Sequence, residues 1–296
     1  MLEYCEVVGK HNQEEYTFEL PWRPSIIYKP GPEFLWRVLG IASETISYDT
    51  FCSLGRYDAA KERGKEVFNP TATWAWFGVD AARFGGDLGT VYIRRGDWLW
   101  RSAAYQQSDS MSFYTHILQQ MEELISDGVE EIEVRVDAGG GWGAGLIDLL
   151  KYDLDLQNRQ TIWEAIEAET DEEKIKQLKV SNRWWPLKEF TVFEVNFNGA
   201  TTEPIKFYDL ITEMYWNLGQ ALEILCLRYP PQTLRVDICE RPYKYGMKGG
   251  RSVKQLLSKD QFRVEYKHSP DDGDGAALAV TPSDVFRKKP LLLFAG

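Results

Sequence analysis

From residue 73 onward, hydrophobic positions fall into short blocks whose order predicts a mixed sheet. Thr73–Val79 (TWAWFGV), Gly89–Arg95 and Trp98–Ala104 read as three strands joined by tight links at Gly86–Leu88 and Gly96–Asp97, an antiparallel meander. Ser110–Asp127 then repeats apolar residues at helical spacing through Ile117, Leu118, Met121, Leu124 and Ile125, and Gly128 ends it. Ile132, Val134 and Val136 alternate as a fourth strand that ends on Asp137, and a glycine run leads into a helix over Ala144–Tyr152. Phe190–Phe197 reads as another strand and Pro204–Leu227 as one long helix, with Pro204 in its first turn. Leu234–Cys239 reads as a short strand and Tyr243–Lys267 as a hairpin broken at KGGR. SPDDGDGAALAV opens a late helix of small residues.

Two stretches stand outside this pattern. Residues 1–66 are irregular: LPWRPSIIYKPGPEF carries four prolines and reads as an extended linker, followed by a short helix capped by Ser47 or Asp49. Residues 153–186 are polar and acidic, with a helical stretch near Thr161–Lys179, and read as an inserted surface element. The expected division is therefore 1–66 as a leading segment and 67–296 as the domain proper. Three strands, helix, strand, helix, strand, helix and a late helix form the order of a ribonuclease H-like α/β fold. Its sheet is a mixed five-stranded one, a β-meander plus parallel strands, with helices on both faces.

Composition narrows the function. The chain has 11 Trp and is 44% hydrophobic, enough for a sizeable core. No apolar run reaches the roughly 18 residues of a membrane span, and the start has no signal-peptide core, so a cytosolic, unsecreted protein is expected. The four cysteines form no CxxC pair and only three histidines are present, which leaves little material for a zinc site or a catalytic triad. A net charge of −11 argues against broad attraction to nucleic acid and predicts weak, salt-sensitive binding.

What remains is carboxylates at the ends of elements. Asp80 ends the first strand, Asp137 ends the fourth, and Asp271, Asp272 and Asp274 open the late helix. In the expected topology the first and fourth strands are neighbours, and the late helix can pack across them. Clustered carboxylates repel, and divalent cations on oxygen ligands remove the repulsion. Two such ions can activate a water and stabilise the leaving oxygen in phosphodiester cleavage. Asp87, in the glycine-rich turn after Asp80, is either an accessory acid or a turn residue, and Asp272 is either a ligand or a solvated helix start. Lys244, Lys248, Arg251, Lys254, Lys259 and Lys267 form a basic stretch ahead of the acids. They and Arg83 are candidates for DNA-backbone contact, or else ordinary solvated side chains.

Several segments, in order, resemble the nuclease half of the large terminase subunit of tailed bacteriophages. They are GVDAARFGGDLGTVYIRRG, EVRVDAGGGWGAGLIDLL, FYDLITEMYWNLGQAL and GGRSVKQLLSKDQFRVEYKHSPDDGDGAA, with EFLWRVLGIASETISYDTF resembling the preceding linker. The resemblance implies a metal-dependent endonuclease that cuts concatemeric double-stranded phage DNA during packaging, in the cytoplasm of the bacterial host. It implies Asp80, Asp137 and Asp271 as core ligands of two Mg²⁺ or Mn²⁺ ions, with Asp87 and Asp274 as additional acids and Lys259 as a basic residue before the last motif. It also implies a terminase ATPase domain, a small terminase subunit and a portal protein as partners. Two departures stand out. Gly275 occupies a position where alanine is usual, and no G-x-x-x-x-G-K-[ST] loop is present, so residues 1–66 read as the tail of an ATPase domain and the linker.

Rival readings use the same residues. DLGT (Asp87–Thr90) and DAGGG (Asp137–Gly141) resemble the phosphate loops of actin, sugar-kinase and chaperone ATPases, although they lie too close together for two duplicated lobes. A resolvase or transposase would share the acid triad. A packaging protein with a degenerate site would share the fold without the chemistry.

Overall fold

The computed structural model describes residues 4–11, 14–21, 50–81, 88–106, 110–139, 142–153, 164–181 and 187–287. The chain divides into two compact units, Met1–Tyr48 and Asp49–Gly296. In the first, β1 (Tyr4–His11) and β2 (Glu14–Pro21) pair antiparallel, with Val7 opposite Phe18 and Val8 opposite Thr17. The start of the chain is thus a strand pair where the sequence reads as irregular. The proline-rich linker after it, Ser47 and Asp49 lie outside the described residues.

The second unit begins with α1 (Leu54–Arg63), capped by Ser53, whose Oγ accepts from Arg56 N at 3.3 Å. The meander follows as β3 (Trp74–Asp80), β4 (Leu88–Arg95) and β5 (Trp98–Gln106). Then come α2 (Ser110–Ser126), β6 (Glu131–Asp137), α3 (Trp142–Asp153), α4 (Glu172–Ser181) and β7 (Glu189–Val195). The rest is α5 (Leu210–Ala221), β8 (Cys226–Arg228), α6 (Gln232–Cys239), β9 (Tyr243–Lys248), β10 (Arg251–Leu256), α7 (Lys259–Tyr266), α8 (Asp271–Val280) and α9 (Ser283–Phe286).

The main sheet has the order β7-β6-β3-β4-β5-β8, antiparallel within the meander and parallel at β3–β6, β6–β7 and β5–β8. This is the ribonuclease H-like arrangement expected from the element order, with six strands rather than five. The added strand comes from the segment read as the end of one long helix. Asp209 caps α5, accepting from Thr212 N at 3.1 Å, so the helix starts after Pro204, and it stops at Ala221. Cys226–Arg228 then pairs with Trp98–Trp100. A short apolar run suits a buried strand or a buried helix equally, and the open edge of β5 decides between them. The opposite correction applies to Leu234–Cys239, which is helical. Its buried residues Leu234, Asp237 and Ile238 recur at helical spacing after Pro231.

Each face of the sheet is covered. On one, Phe113, Ile117 and Met121 of α2 and Leu146 and Leu150 of α3 pack on Phe77, Val79, Ile93 and Val134. On the other, α1, α5, α6 and α8 pack on Tyr92, Leu99 and Val195. Among the described residues no helix is long and apolar enough to cross a membrane.

The small-residue helix α8 is buried along all ten residues. It can lie flat on the sheet because both sides of the contact are glycine. A Cβ on Gly78 of β3 would fall 2.2 Å from Gly275 O, and one on Gly275 would fall 2.4 Å from Thr90 Oγ1. The unusual Gly275 therefore has a steric reason. The carbonyls at the end of α8 are met by two guanidinium groups, Arg135 buried and Arg94 half-buried. Arg135 donates to Leu278 O at 3.0 Å, and Arg94 donates to Val280 O at 3.1 Å. Gly275→Ala should lower stability by about 1–3 kcal/mol through overpacking. Gly55→Ala, with nothing within 4 Å of the added methyl, should be neutral or stabilising. Urea unfolding of the two variants checks this, and equal midpoints would contradict the contact.

Candidate functional site

Parallel register sets the first pair of acids. Val79 pairs with Val136, so Asp80 and Asp137 follow side by side at the ends of adjacent strands, whose spacing is about 4.8 Å. α8 packs against β3 and β4 and presents Asp271 and Asp274, three residues apart, on one face. Between them stands the ammonium of Lys259, from the first turn of α7. Its Nζ lies 3.1 Å from Asp80 Oδ2, 2.9 Å from Asp274 Oδ2 and 3.6 Å from Asp271 Oδ1. The structure thus brings Asp80, Asp137, Asp271, Asp274 and Lys259 together. Asp87 and Arg83 lie outside the described residues.

Each acid has its own supporting contacts. Asp271 accepts from Leu88 N at 2.8 Å and Ser269 Oγ at 2.5 Å, and its backbone carbonyl accepts from Thr90 Oγ1 at 2.9 Å. Asp137 accepts from Gly139 N at 2.9 Å. Asp274 Oδ1 accepts from Tyr215 OH at 2.8 Å and Arg241 Nη1 at 2.9 Å. Its Oδ2 is buried and faces the Lys259 ammonium at 2.9 Å.

Burial dominates the electrostatics. It pushes the Asp80 carboxyl well above its ordinary range; Lys259 opposes this, and Asp274, Asp271 and Asp137 add to it. Asp137 and Asp271 are raised for the same reason, against the pull of Gly139 N–H on the first and of Lys259 and Ser269 on the second. Burial works against ionisation of Asp274 too, but Lys259 and Arg241 outweigh it and hold this carboxyl below its ordinary value. Burial also disfavours the Lys259 cation, and Asp274, Asp80 and Asp271 more than compensate.

Asp272 is not brought to this cluster. It is buried behind α8, accepting from Tyr92 OH at 2.8 Å and from Arg101 Nη1 at 3.0 Å, with Thr233 Oγ1 as a third donor. Beside it lies an unforeseen pair. Asp237 Oδ2 accepts from Gly273 N at 2.9 Å, in the first turn of α8, while Oδ1 meets His268 Nε2 at 2.8 Å. Burial raises the Asp237 carboxyl to about 6, with His268 and Gly273 N–H pulling the other way. The sequence pattern hides Asp237 because its segment reads as a strand. It also hides Arg241 and Tyr215, although Tyr215 lies on the apolar stripe of α5 with Ile211 and Leu218.

The basic stretch does not form one surface. Lys244, Lys248 and Arg251 are exposed on the β9–β10 hairpin. Lys254 packs against aromatic rings, 4.5 Å from the centroid of Trp216 and 5.1 Å from that of Tyr243. Lys248 Nζ donates to Tyr208 O, and Lys267 Nζ donates to Val264 O at 2.7 Å. Lys259 belongs to the acids.

Among the described residues, no three His, Cys, Asp or Glu side chains form a ready metal cage. The donor set nonetheless suits a hard cation: four carboxylates around a single lysine.

The sheet has the ribonuclease H-like order and carries acids at the ends of two adjacent parallel strands. No protein-family model and no curated protein matches the sequence. Among solved structures, the chain is similar to the nuclease domain of the large terminase subunit gp2 of bacterial virus Sf6. A mutant of that domain with manganese and beta-thujaplicinol shares 11% identity at TM-score 0.48, over 79% of this chain and 99% of that one. The domain itself gives 12% and 0.47 over the same shares. The large terminase of the thermophilic bacteriophage D6E gives 11% and 0.37, over 72% of this chain and 40% of that one.

Raised carboxyls bind protons more tightly folded than unfolded. Their contribution to stability is therefore greatest below the ordinary value of 3.8 and is lost as pH rises through the folded values. Metal-free protein should melt at progressively lower temperature as pH rises from about 4 to 8. Millimolar Mn²⁺ should restore the melting temperature at the upper end and EDTA reverse it; a profile indifferent to Mn²⁺ would count against cation binding. Asp272→Ala should cost about 1–3 kcal/mol, because it leaves the buried Tyr92 hydroxyl and the half-buried Arg101 guanidinium without their acceptor, with urea unfolding as the measure.

Proposed function

We propose that the chain is a metal-dependent endonuclease that cuts double-stranded phage DNA during genome packaging. The observation that carries this reading is the convergence of Asp80, Asp137, Asp271 and Asp274, from two strand ends and one helix, on a single spot at the floor of a cleft. Asp80, Asp137 and Asp271 would hold two Mg²⁺ or Mn²⁺ ions, with Asp274 as an additional ligand. When bound, such ions lower the pKa of a water and stabilise the leaving oxygen of a phosphodiester.

The protein's own residues do the positioning. Leu88 N–H and Ser269 Oγ orient Asp271, Gly139 N–H orients Asp137, and Tyr215 and Arg241 orient Asp274. Lys259 supplies a counter-charge that opposes the effect of burial on Asp80 and Asp271 and, with Arg241, outweighs it at Asp274. Lys244, Lys248 and Arg251 on the exposed hairpin would meet the DNA backbone, giving position rather than sequence preference. A packaging ATPase, a small terminase subunit and a portal protein would be the partners, in the cytoplasm of the bacterial host.

One alternative has a specific observation in its favour. Lys259 already pairs with Asp80, Asp271 and Asp274, as in a packaging protein whose site is closed to metal. Plasmid nicking separates the two. With Mn²⁺ or Mg²⁺ the protein should nick supercoiled DNA, and EDTA should stop it. Asp80→Asn and Asp271→Asn should each reduce the rate by more than roughly 100-fold, beyond the loss usual for a residue that merely orients a ligand. Lack of nicking with either metal at high enzyme concentration would sink the nuclease reading.

A further inference from the structure

Beside the acids the surface opens into a cleft of about 450 Å³. That lies within the roughly 300–1,000 Å³ usual for small-molecule sites. Its floor is the cluster itself: Asp137, Asp274, Arg241 and Lys259 all line it. Its walls come from three separate segments, namely the turn after β7, the residues ahead of α5, and the end of β10 with the connection to α7. The wall side chains include two aromatic rings, Phe197 and Tyr208, and three amides, Asn196, Asn198 and Gln255. None of these five takes part in holding the acids.

The wall is built rather than incidental. Tyr208 N–H donates to Lys254 O at 2.8 Å, and its carbonyl accepts from Lys248 Nζ. The Lys248 ammonium also lies 5.0 Å from the centroid of the Tyr208 ring. The basic hairpin and the cleft wall are thus tied together. Asn196 Oδ1 accepts from Asn198 N at 3.0 Å, which fixes the turn that carries both amides.

Charge says which part of a ligand fits. Asp137, Asp209, Asp260 and Asp274 line the cleft against Arg241 and Lys259 alone, so acids outnumber bases. Away from the acids and their two bases no lining residue is basic, so the wall itself offers a phosphate no counter-charge. A neutral, flat heterocycle with donors and acceptors on its edge gains aromatic stacking and amide hydrogen bonds. The space suits one nucleotide, and a base reaches it only when taken out of the duplex stack.

We propose that this cleft holds a single unpaired nucleotide of the strand being cut, its base against Phe197 and Tyr208 and its edge along Asn196, Asn198 and Gln255. The inference rests on the nuclease reading and adds a preference to it: cutting is favoured beside bulges, mismatches and frayed ends.

The test uses Asp80→Asn protein, so that no strand is cut. Two duplexes carry the fluorescent base 2-aminopurine, either in a one-nucleotide bulge or fully paired, with an end label for affinity. The bulged duplex should bind more tightly than the paired one, with a change in 2-aminopurine emission on binding. Tyr208→Ala should reduce that preference roughly tenfold, the scale of one base–aromatic stack. Gln255→Ala and Asn196→Ala, less demanding of the fold, should reduce it in the same direction. Equal affinity for the two duplexes with unchanged emission overturns the proposal, as do folded variants that keep the wild-type preference. The outcome is separable from nicking. A protein that nicks plasmid but ignores the bulge keeps the nuclease reading and loses this one, whereas a bulge preference without nicking keeps the nucleotide site and overturns the cutting preference with the nuclease reading.

Discussion

Four aspartates meet in a buried corner where one lysine ammonium supplies the central positive charge, and much of the surrounding structure serves to make that tolerable. Coulomb repulsion between carboxylates a few ångströms apart is strong wherever water is excluded. The protein answers with Lys259 between the acids, Arg241 and Tyr215 on Asp274, and backbone N–H groups on Asp137 and Asp271. The answer is incomplete. Three of the four carboxyls remain raised by burial. A site left short of positive charge in this way is disposed toward further cations.

The corner exists only because α8 lies close against the sheet. Larger side chains at the contact would hold the helix further from the sheet. Gly78 and Gly275 remove that spacing, and Arg135 and Arg94 meet the carbonyls at the far end. The run of small residues in DDGDGAALAV is therefore a packing requirement that delivers two carboxylates to strand ends. The same helix uses its other side for support. Asp272 and the Asp237–His268 pair hold its first turn from behind through Tyr92, Arg101 and Gly273. Acids next to each other in sequence thus serve opposite sides of one helix.

Beyond the corner, the polar cleft and the basic hairpin form one continuous feature, because Tyr208 is bonded to both Lys248 and Lys254. The charged hairpin residues stay in solvent while Lys254 is taken up by aromatic rings. A stretch that looks uniformly basic in one dimension is therefore divided by its folding into exposed, caged and ion-paired lysines.

Alternation and strand-ending acids determined much about this protein by themselves. The meander, the parallel strand ending at Asp137, the late helix and the juxtaposition of Asp80, Asp137 and Asp271 are all legible, because period-2 patterning and right-handed β-α connections leave few topologies. Which of the three late acids face the strand ends was not legible. Asp271 and Asp274 share one face of α8, but only the packing of that helix shows that it is their face, and not that of Asp272, which meets Asp80. Other features needed the third dimension as well. Cys226–Arg228 became a strand because β5 offered an open edge, and Leu234–Cys239 became a helix because its buried side is helical. The roles of Arg241, Tyr215 and Asp237 depend on partners 33 to 59 residues away, and no local pattern encodes such a meeting. Local periodicity sets which elements form; only packing decides which charges share one low-dielectric space, and that is where the chemistry of this chain resides.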